Sequence, residues 1–170
     1  MTLTTALLIG AGTLAAATAS TYLLPANVSV ERRATVAAAP EEVIALAASN
    51  TGYQAFNPYK SVDPNLQISF FGPESGIGSG FRFDGKDGKG TQTVAAVSET
   101  EGTYDIDLGP MGQPRQTSSV RAIEGGSEVT WRMDADMGGN PVFRVFGLFM
   151  ARMIGKTFDQ GLANLAAATA

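Results

Sequence analysis

Asn140-Pro141 opens a helical pattern that runs almost uninterrupted to the end of the 170-residue chain. Asn is a strong N-cap, and Pro suits the first helical position, where its missing N–H costs nothing. Phe143, Phe146, Met150, Met153, Ile154, Phe158, Leu162 and Leu165 recur at three- and four-residue steps and make one apolar stripe. Arg144, Arg152, Lys156, Asp159 and Asn164 take the other side. A helix of about 27 residues is roughly 40 Å long, more than most globular helices reach. It needs a broad apolar partner, and the segments before it read as strands. The pattern predicts a curved sheet gripping one long helix, a shape that can hold an internal cavity. Gly155 and Gly161 fall inside the run, each costing about 1 kcal/mol relative to Ala. Such positions fit a close approach by the sheet or a ligand, with Trp131 facing the same space.

The strand-like segments are Val28–Ala37, Leu66–Phe71, Gly80–Asp84, Thr91–Val97, Thr103–Leu108, Arg115–Ile123 and Glu128–Ala135. They are short, β-branched or aromatic, and bounded by Gly, Pro, Asp and Asn, as successive antiparallel strands should be. Between the first two, Pro40 starts a short helix over Glu41–Ala48 with an acidic first turn. Gly52 is expected to end it, with an irregular aromatic stretch through Tyr53, Phe56 and Tyr59. Strand, helix, six strands and a long helix is an α+β order.

Composition excludes several chemistries. There is no cysteine and no histidine, which removes disulfides, thiolate and imidazole metal sites, and His-based triads. No cofactor, no metal site and no catalytic constellation is expected from the residues. The net charge of −4 argues against a nucleic-acid partner.

Residues 1–26 read as a separate unit. Leu3 to Leu24 carries no charge and is followed by Pro25, and a stretch of about 20 such residues can span a bilayer. The expectation is a retained single-pass N-terminal membrane anchor before a domain at 27–170. The alternative is a signal segment cleaved near Ala17-Thr18-Ala19, with export of the rest.

Val28-Ser29-Val30-Glu31-Arg32, leading to Ala39-Pro40-Glu41-Glu42-Val43, is one of several family-like words. Others are Gly72-Pro73-Glu74-Ser75-Gly76-Ile77-Gly78, Val129-Thr130-Trp131, Met153-Ile154-Gly155-Lys156 and Gly161-Leu162-Ala163-Asn164-Leu165. In this order they resemble the SRPBCC superfamily, the START/Bet v 1-like helix-grip proteins, especially its polyketide cyclase/dehydrase branch. The resemblance implies a helix-grip fold: a curved antiparallel sheet of about seven strands wrapped on the C-terminal helix, here preceded by an N-terminal hydrophobic helix. It also implies a cavity for a hydrophobic small molecule or lipid between sheet and helix. Relatives often carry tryptophans after the first helix, where this chain has Tyr53, Phe56 and Tyr59.

The candidate ligand-binding residues are Tyr53, Phe56, Phe81, Phe83, Tyr104, Ile106, Trp131, Met133, Met150, Ile154 and Phe158. The first reading is therefore a membrane-tethered module holding a hydrophobic molecule. An alternative is a cyclase or dehydratase, for which Tyr53, Tyr59, Tyr104, Arg82 and Arg121 could supply acid/base groups. Two or more of these converging on the cavity would favour it. A third is a protein-binding scaffold at the membrane, marked by a contiguous exposed apolar patch. The run Gly76–Gly80 is read as a hairpin, since Phe81–Asp84 after it is a strand and no helix follows to hold phosphate. Asp105, Asp107, Asp134 and Asp136 alternate with apolar residues and belong to the solvated face. Asp84–Gly90 reads as a solvated turn.

Overall fold

A computed structural model describes residues 3–170, apart from the side chains of residues 3, 6–8 and 14–17. The elements run α1 Leu3–Thr21, β1 Asn27–Val36, α2 Pro40–Ala47, α3 Asn50–Phe56, α4 Pro58–Val62, β2 Gln67–Phe71, β3 Gly80–Gly85, β4 Gly88–Val97, β5 Glu101–Asp107, β6 Arg115–Ile123, β7 Gly126–Asp136 and α5 Pro141–Ala168. The seven strands form one antiparallel sheet in the order β1-β7-β6-β5-β4-β3-β2. Consecutive strands from β2 to β7 are neighbours, and β1 returns to pair with β7. The helix-grip α+β architecture is the observed one, with α3 and α5 against one face of the sheet.

The stretch after α2 is helical rather than irregular. Ser49 caps α3 by accepting from Gly52 N–H at 3.2 Å, and Asn57 caps α4 by accepting from Tyr59 N–H at 3.0 Å. Gly52 lies inside α3 and not at a terminus. A Cβ there would sit 2.5 Å from the Leu46 carbonyl oxygen, so the glycine permits a tight α2–α3 junction. Asn50 then ties α3 to the β2–β3 loop, donating to the carbonyls of Phe71 at 3.3 Å and Pro73 at 3.1 Å.

α5 spans 28 residues, with Asn140 accepting from Val142 N–H at 2.9 Å. Only its second half carries the expected stripe inward: Phe158, Leu162 and Leu165 are buried. Phe143, Phe146 and Met153 are exposed, as are Val142, Val145, Leu148 and Phe149. The reason is geometric. Gly147 packs on Val28 and Met137, and Val28 belongs to the end of the sheet where Asn27 pairs with Asp136. The buried face continues from Gly147 through Gly155, Phe158, Gly161, Leu162 and Leu165, and Val142, Val145, Phe149 and Met153 lie about half a turn away from it and face outward.

The expected membrane anchor is not observed. Among the described residues, no helix is long and apolar enough to cross a membrane. α1 is 19 residues long, and its apolar side chains are diluted by hydroxyl residues and by Gly10 and Gly12. Its junction with β1 folds back onto α5, where Arg144 donates to the carbonyls of Tyr22 at 2.9 Å and Leu24 at 3.1 Å.

Candidate functional site between the sheet and its helices

Strand alternation sends one set of side chains from each strand toward α3 and α5. Phe81 comes from β3, Gln92 and Val94 from β4, and Tyr104 from β5. Gln116, Ser118 and Val120 come from β6, with Val129, Trp131 and Met133 from β7, and all of these are buried. Pairing brings the strands into register, with Tyr104 opposite Gln116 and Ser118 opposite Trp131. The helices close over this face with Tyr53 and Phe56 from α3 and Phe158, Leu162 and Leu165 from α5.

The aromatic rings make one continuous run. Phe158 meets Trp131 edge-on at 5.5 Å between centroids, and Trp131 lies 5.7 Å from Phe56. Phe56 is 4.9 Å from Tyr53, Tyr53 is 5.3 Å from Phe81, and Phe81 is 6.4 Å from Phe83. Such contacts add about 0.5–1.5 kcal/mol each beyond area burial. They also fill most of the gripped space. A half-open pocket of about 10 Å³ remains beside them, bordered by Asn50, Tyr53, Ser79, Phe81, Gln92 and Tyr104 among others. That is room for about one water.

Among the proposed lining residues, Tyr53, Phe81 and Tyr104 border this cavity. Phe56, Trp131, Met133 and Phe158 are buried beside it in the close-packed core, and Phe83, Ile106 and Ile154 pack half-buried at its margin. Met150 is half-buried and lies outside that cluster. Gly161 faces the interior under Trp131, whereas Gly155 faces Arg32, which reaches across from β1 to pair with Asp159 at 3.1 Å. The other proposed acid/base groups are elsewhere. Arg82 points outward and stacks over Phe71 at 4.8 Å, Arg121 pairs with Glu128 at 3.0 Å, and Tyr59 is exposed.

The interior is more polar than its sequence pattern implied. Gln92, Gln116, Ser118, Asn50 and Ser79 are all buried. β6 reads Arg-Gln-Thr-Ser-Ser-Val-Arg, polar at both parities, so alternation alone could not say which side faces in. Asn50 and Ser79 are engaged, the latter donating to the Ala48 carbonyl at 3.1 Å. Four other inward atoms are buried without a hydrogen-bond partner: Tyr104 OH, Gln116 Nε2, Ser118 Oγ and Trp131 Nε1. An unmet polar group of this kind costs about 1–3 kcal/mol, and four in one block are a large concession for a domain of this size. Burial also raises the Tyr53 and Tyr104 phenols well above their ordinary value of 10.0; for Tyr53 the neighbouring amides of Gln92 and Gln116 act in the opposite sense. Both are neutral hydrogen-bond donors at ordinary pH.

Two other surfaces were candidates. A groove of about 840 Å³ opens on the outer side of the sheet near the start of β1 and the end of β7. Two of its carboxylates pair with arginines, Asp105 with Arg115 at 2.8 Å and Asp134 with Arg132 at 2.9 Å, while Asp107 and Asp136 accept from the backbone N–H groups of Gly109 and Gly138. The Arg132 hydrogen bond holds the Asp134 carboxyl below the usual range. Val142, Phe143, Val145, Phe146, Leu148 and Phe149 are exposed at the start of α5.

The model of a protein family described as polyketide cyclase / dehydrase and lipid transport matches residues 27–170. The chain belongs to that family. The polyketide cyclase/dehydrase-like domain thus covers every strand and α5, and it is of SRPBCC helix-grip type. Solved structures carry the same fold at low identity. The crystal structure of Ara h 8.0201 aligns with a TM-score of 0.57 at 15% identity, over 83% of this chain and 99% of that one. The di-domain ARO/CYC StfQ from the steffimycin biosynthetic pathway gives 0.62 at 13% identity, over 84% of this chain and 50% of its own length. The Aha1 dimer from Colwellia psychrerythraea gives 0.60 at 16% identity, over 84% and 96%. No curated protein matches the polyketide cyclase/dehydrase-like chain.

Proposed function

We propose that this polyketide cyclase/dehydrase-like domain is a binding module for a hydrophobic small molecule, held between the inner face of the sheet and helices α3 and α5. The observation that carries the reading is the aromatic run from Phe158 through Trp131, Phe56 and Tyr53 to Phe81. Two of its rings, Tyr53 and Phe81, border a small pocket, and the Tyr104 hydroxyl on the same pocket lacks a partner. Ligand sites combine such apolar walls with a few convergent polar groups. The cavity is too small for a ligand as it stands, so binding requires α3, which carries Asn50 and Tyr53, to shift away from the sheet. Trp131 is the only tryptophan, and its emission reports directly on the site. Displacement of an apolar dye by extracts of the native host, followed by mass spectrometry of the retained molecule, tests the reading. Retention of a hydrophobic molecule with altered Trp131 emission supports it; no dye uptake and no retained molecule overturn it.

A cyclase-type activity is the second reading, and one observation favours it: two ionisable side chains, Tyr53 and Tyr104, converge on the cavity. As neutral phenols they would act as proton or hydrogen-bond donors to a substrate oxygen and not as bases. Replacement of both by Phe would abolish turnover of a cyclising substrate under this reading while leaving dye uptake in place.

A further inference from the structure

Resting on the binding reading above, the four unpartnered atoms narrow the class of ligand. Tyr104 OH, Gln116 Nε2, Ser118 Oγ and Trp131 Nε1 belong to residues no more than 3% exposed. They sit on three adjacent strands, in the cross-strand pairs Tyr104–Gln116 and Ser118–Trp131. Strands lie about 4.8 Å apart and same-face neighbours about 6.6 Å apart, so the four occupy one small block of the inner wall. An indole N–H and an amide NH₂ can only donate, and the two hydroxyls can donate as well. The complement of such a block is an acceptor.

The charge of that acceptor is also constrained. The cation opposite Trp131 in register on β1 is Arg32, whose guanidinium is engaged by Asp159 at 3.1 Å and by the Glu31 carbonyl at 2.7 Å. Every other inward residue of β3 to β7 among those placed above is uncharged. A carboxylate brought here would be desolvated without a counter-ion unless Arg32, opposite Trp131 in register, left Asp159 for it. A carbonyl oxygen meets the donors at no such cost. We propose that the block Tyr104, Gln116, Ser118 and Trp131 receives the carbonyl oxygen of a neutral, otherwise apolar ligand, and discriminates against both hydrocarbons and carboxylates of the same shape.

Three probes of one bicyclic shape separate the possibilities: naphthyl methyl ketone, ethylnaphthalene and naphthoate. Each is titrated into the full chain at neutral pH, with calorimetry for affinity and the Trp131 indole N–H resonance as the local readout. The expected result is binding of the ketone at least about tenfold tighter than either of the others, with a downfield shift of the indole proton as it gains an acceptor. Gln116→Met, which keeps the side-chain volume, and Ser118→Ala should each reduce that preference; the second serves if the first does not fold. Equal binding of ketone and hydrocarbon, with Trp131 perturbed by both, would leave the hydrophobic-binding reading standing and overturn the carbonyl assignment. Tightest binding of naphthoate would overturn it as well. No binding of any probe, with an unmoved indole resonance, would remove both.

Discussion

Gly161 of α5 lies against the indole of Trp131, so close that a Cβ on the glycine would stand 2.5 Å from Cζ3, 2.9 Å from Cη2 and 3.2 Å from Pro58 Cγ. Helix, sheet and the α3–α4 segment meet at this one point. The glycine costs helix propensity and gains a backbone-to-ring approach that no larger residue permits.

Gly161→Ala should therefore destabilise the domain. The helical gain of about 1 kcal/mol is outweighed by overpacking against a buried ring, typically 1–3 kcal/mol. Gly155→Ala should do the opposite, because the atoms nearest its Cβ are those of the guanidinium at the far end of the half-exposed Arg32 side chain. Moving that guanidinium loses a surface ion pair worth about 1 kcal/mol or less. Thermal melts of the two variants should shift in opposite directions; a shared direction would mean that the α5–sheet spacing is looser than this geometry.

Stability should fall above pH 10. Below that value the phenols of Tyr53 and Tyr104 are protonated whether the chain is folded or not. Above it, the unfolded chain releases protons that the buried phenols retain, since burial raises both from 10.0. The unfolded state is then favoured by about 1.4 kcal/mol per pH unit for each phenol. Urea midpoints at about pH 9 and about pH 11 measure this, and a Tyr53→Phe, Tyr104→Phe double variant should flatten the decline.

Ser118→Ala and Ser127→Ala should separate by sign or size. Ser118 Oγ has no partner, so its removal should be neutral or stabilising by up to about 1 kcal/mol. Ser127 Oγ, equally buried, donates to the Ala38 carbonyl at 2.7 Å. Its loss leaves that carbonyl unmet and should cost about 1–3 kcal/mol. Equal melting temperatures would mean that the Ser118 hydroxyl is satisfied in solution.

Removal of residues 1–24 should leave the fold intact. The deletion spares Ala26, whose carbonyl accepts from Met137 N–H at 2.7 Å, and all of β1. It removes the two carbonyls that Arg144 holds, a loss of about 1 kcal/mol at a partly exposed contact. Circular dichroism and a urea titration would show it; a collapsed or aggregated product would assign α1 to the core.

Period and punctuation were enough to find the seven strands, the Asn140-Pro141 start of α5 and the inward side of Trp131, because each depends on local alternation or a local cap. The side taken by Arg82 stayed open until Phe81 and Phe83 were seen to take the inner side. α3 and α4 escaped because their caps, Ser49 and Asn57, lie among residues that also suit loops, and Gly52 looked like a terminator. The anchor expectation came from the uncharged run at Leu3–Leu24, where the absence of charge stood in for apolarity.

What the chain's local chemistry determined by itself was the seven strands, α2 and α5, the antiparallel order and a grip of sheet on helix. Three things needed the tertiary structure. Packing on β1 and β7 decides which face of α5 is buried, so Phe158 is core against Trp131, whereas Phe149, half a turn away in helical phase, is 71% exposed. Strand pairing decides that Gln116 and Ser118 share the inner wall with Tyr104 and Trp131. Close packing of Tyr53, Phe56 and Phe158 decides how little space remains. Each depends on contacts between residues far apart in sequence, and periodicity along one segment carries no information about the length or register of its partner.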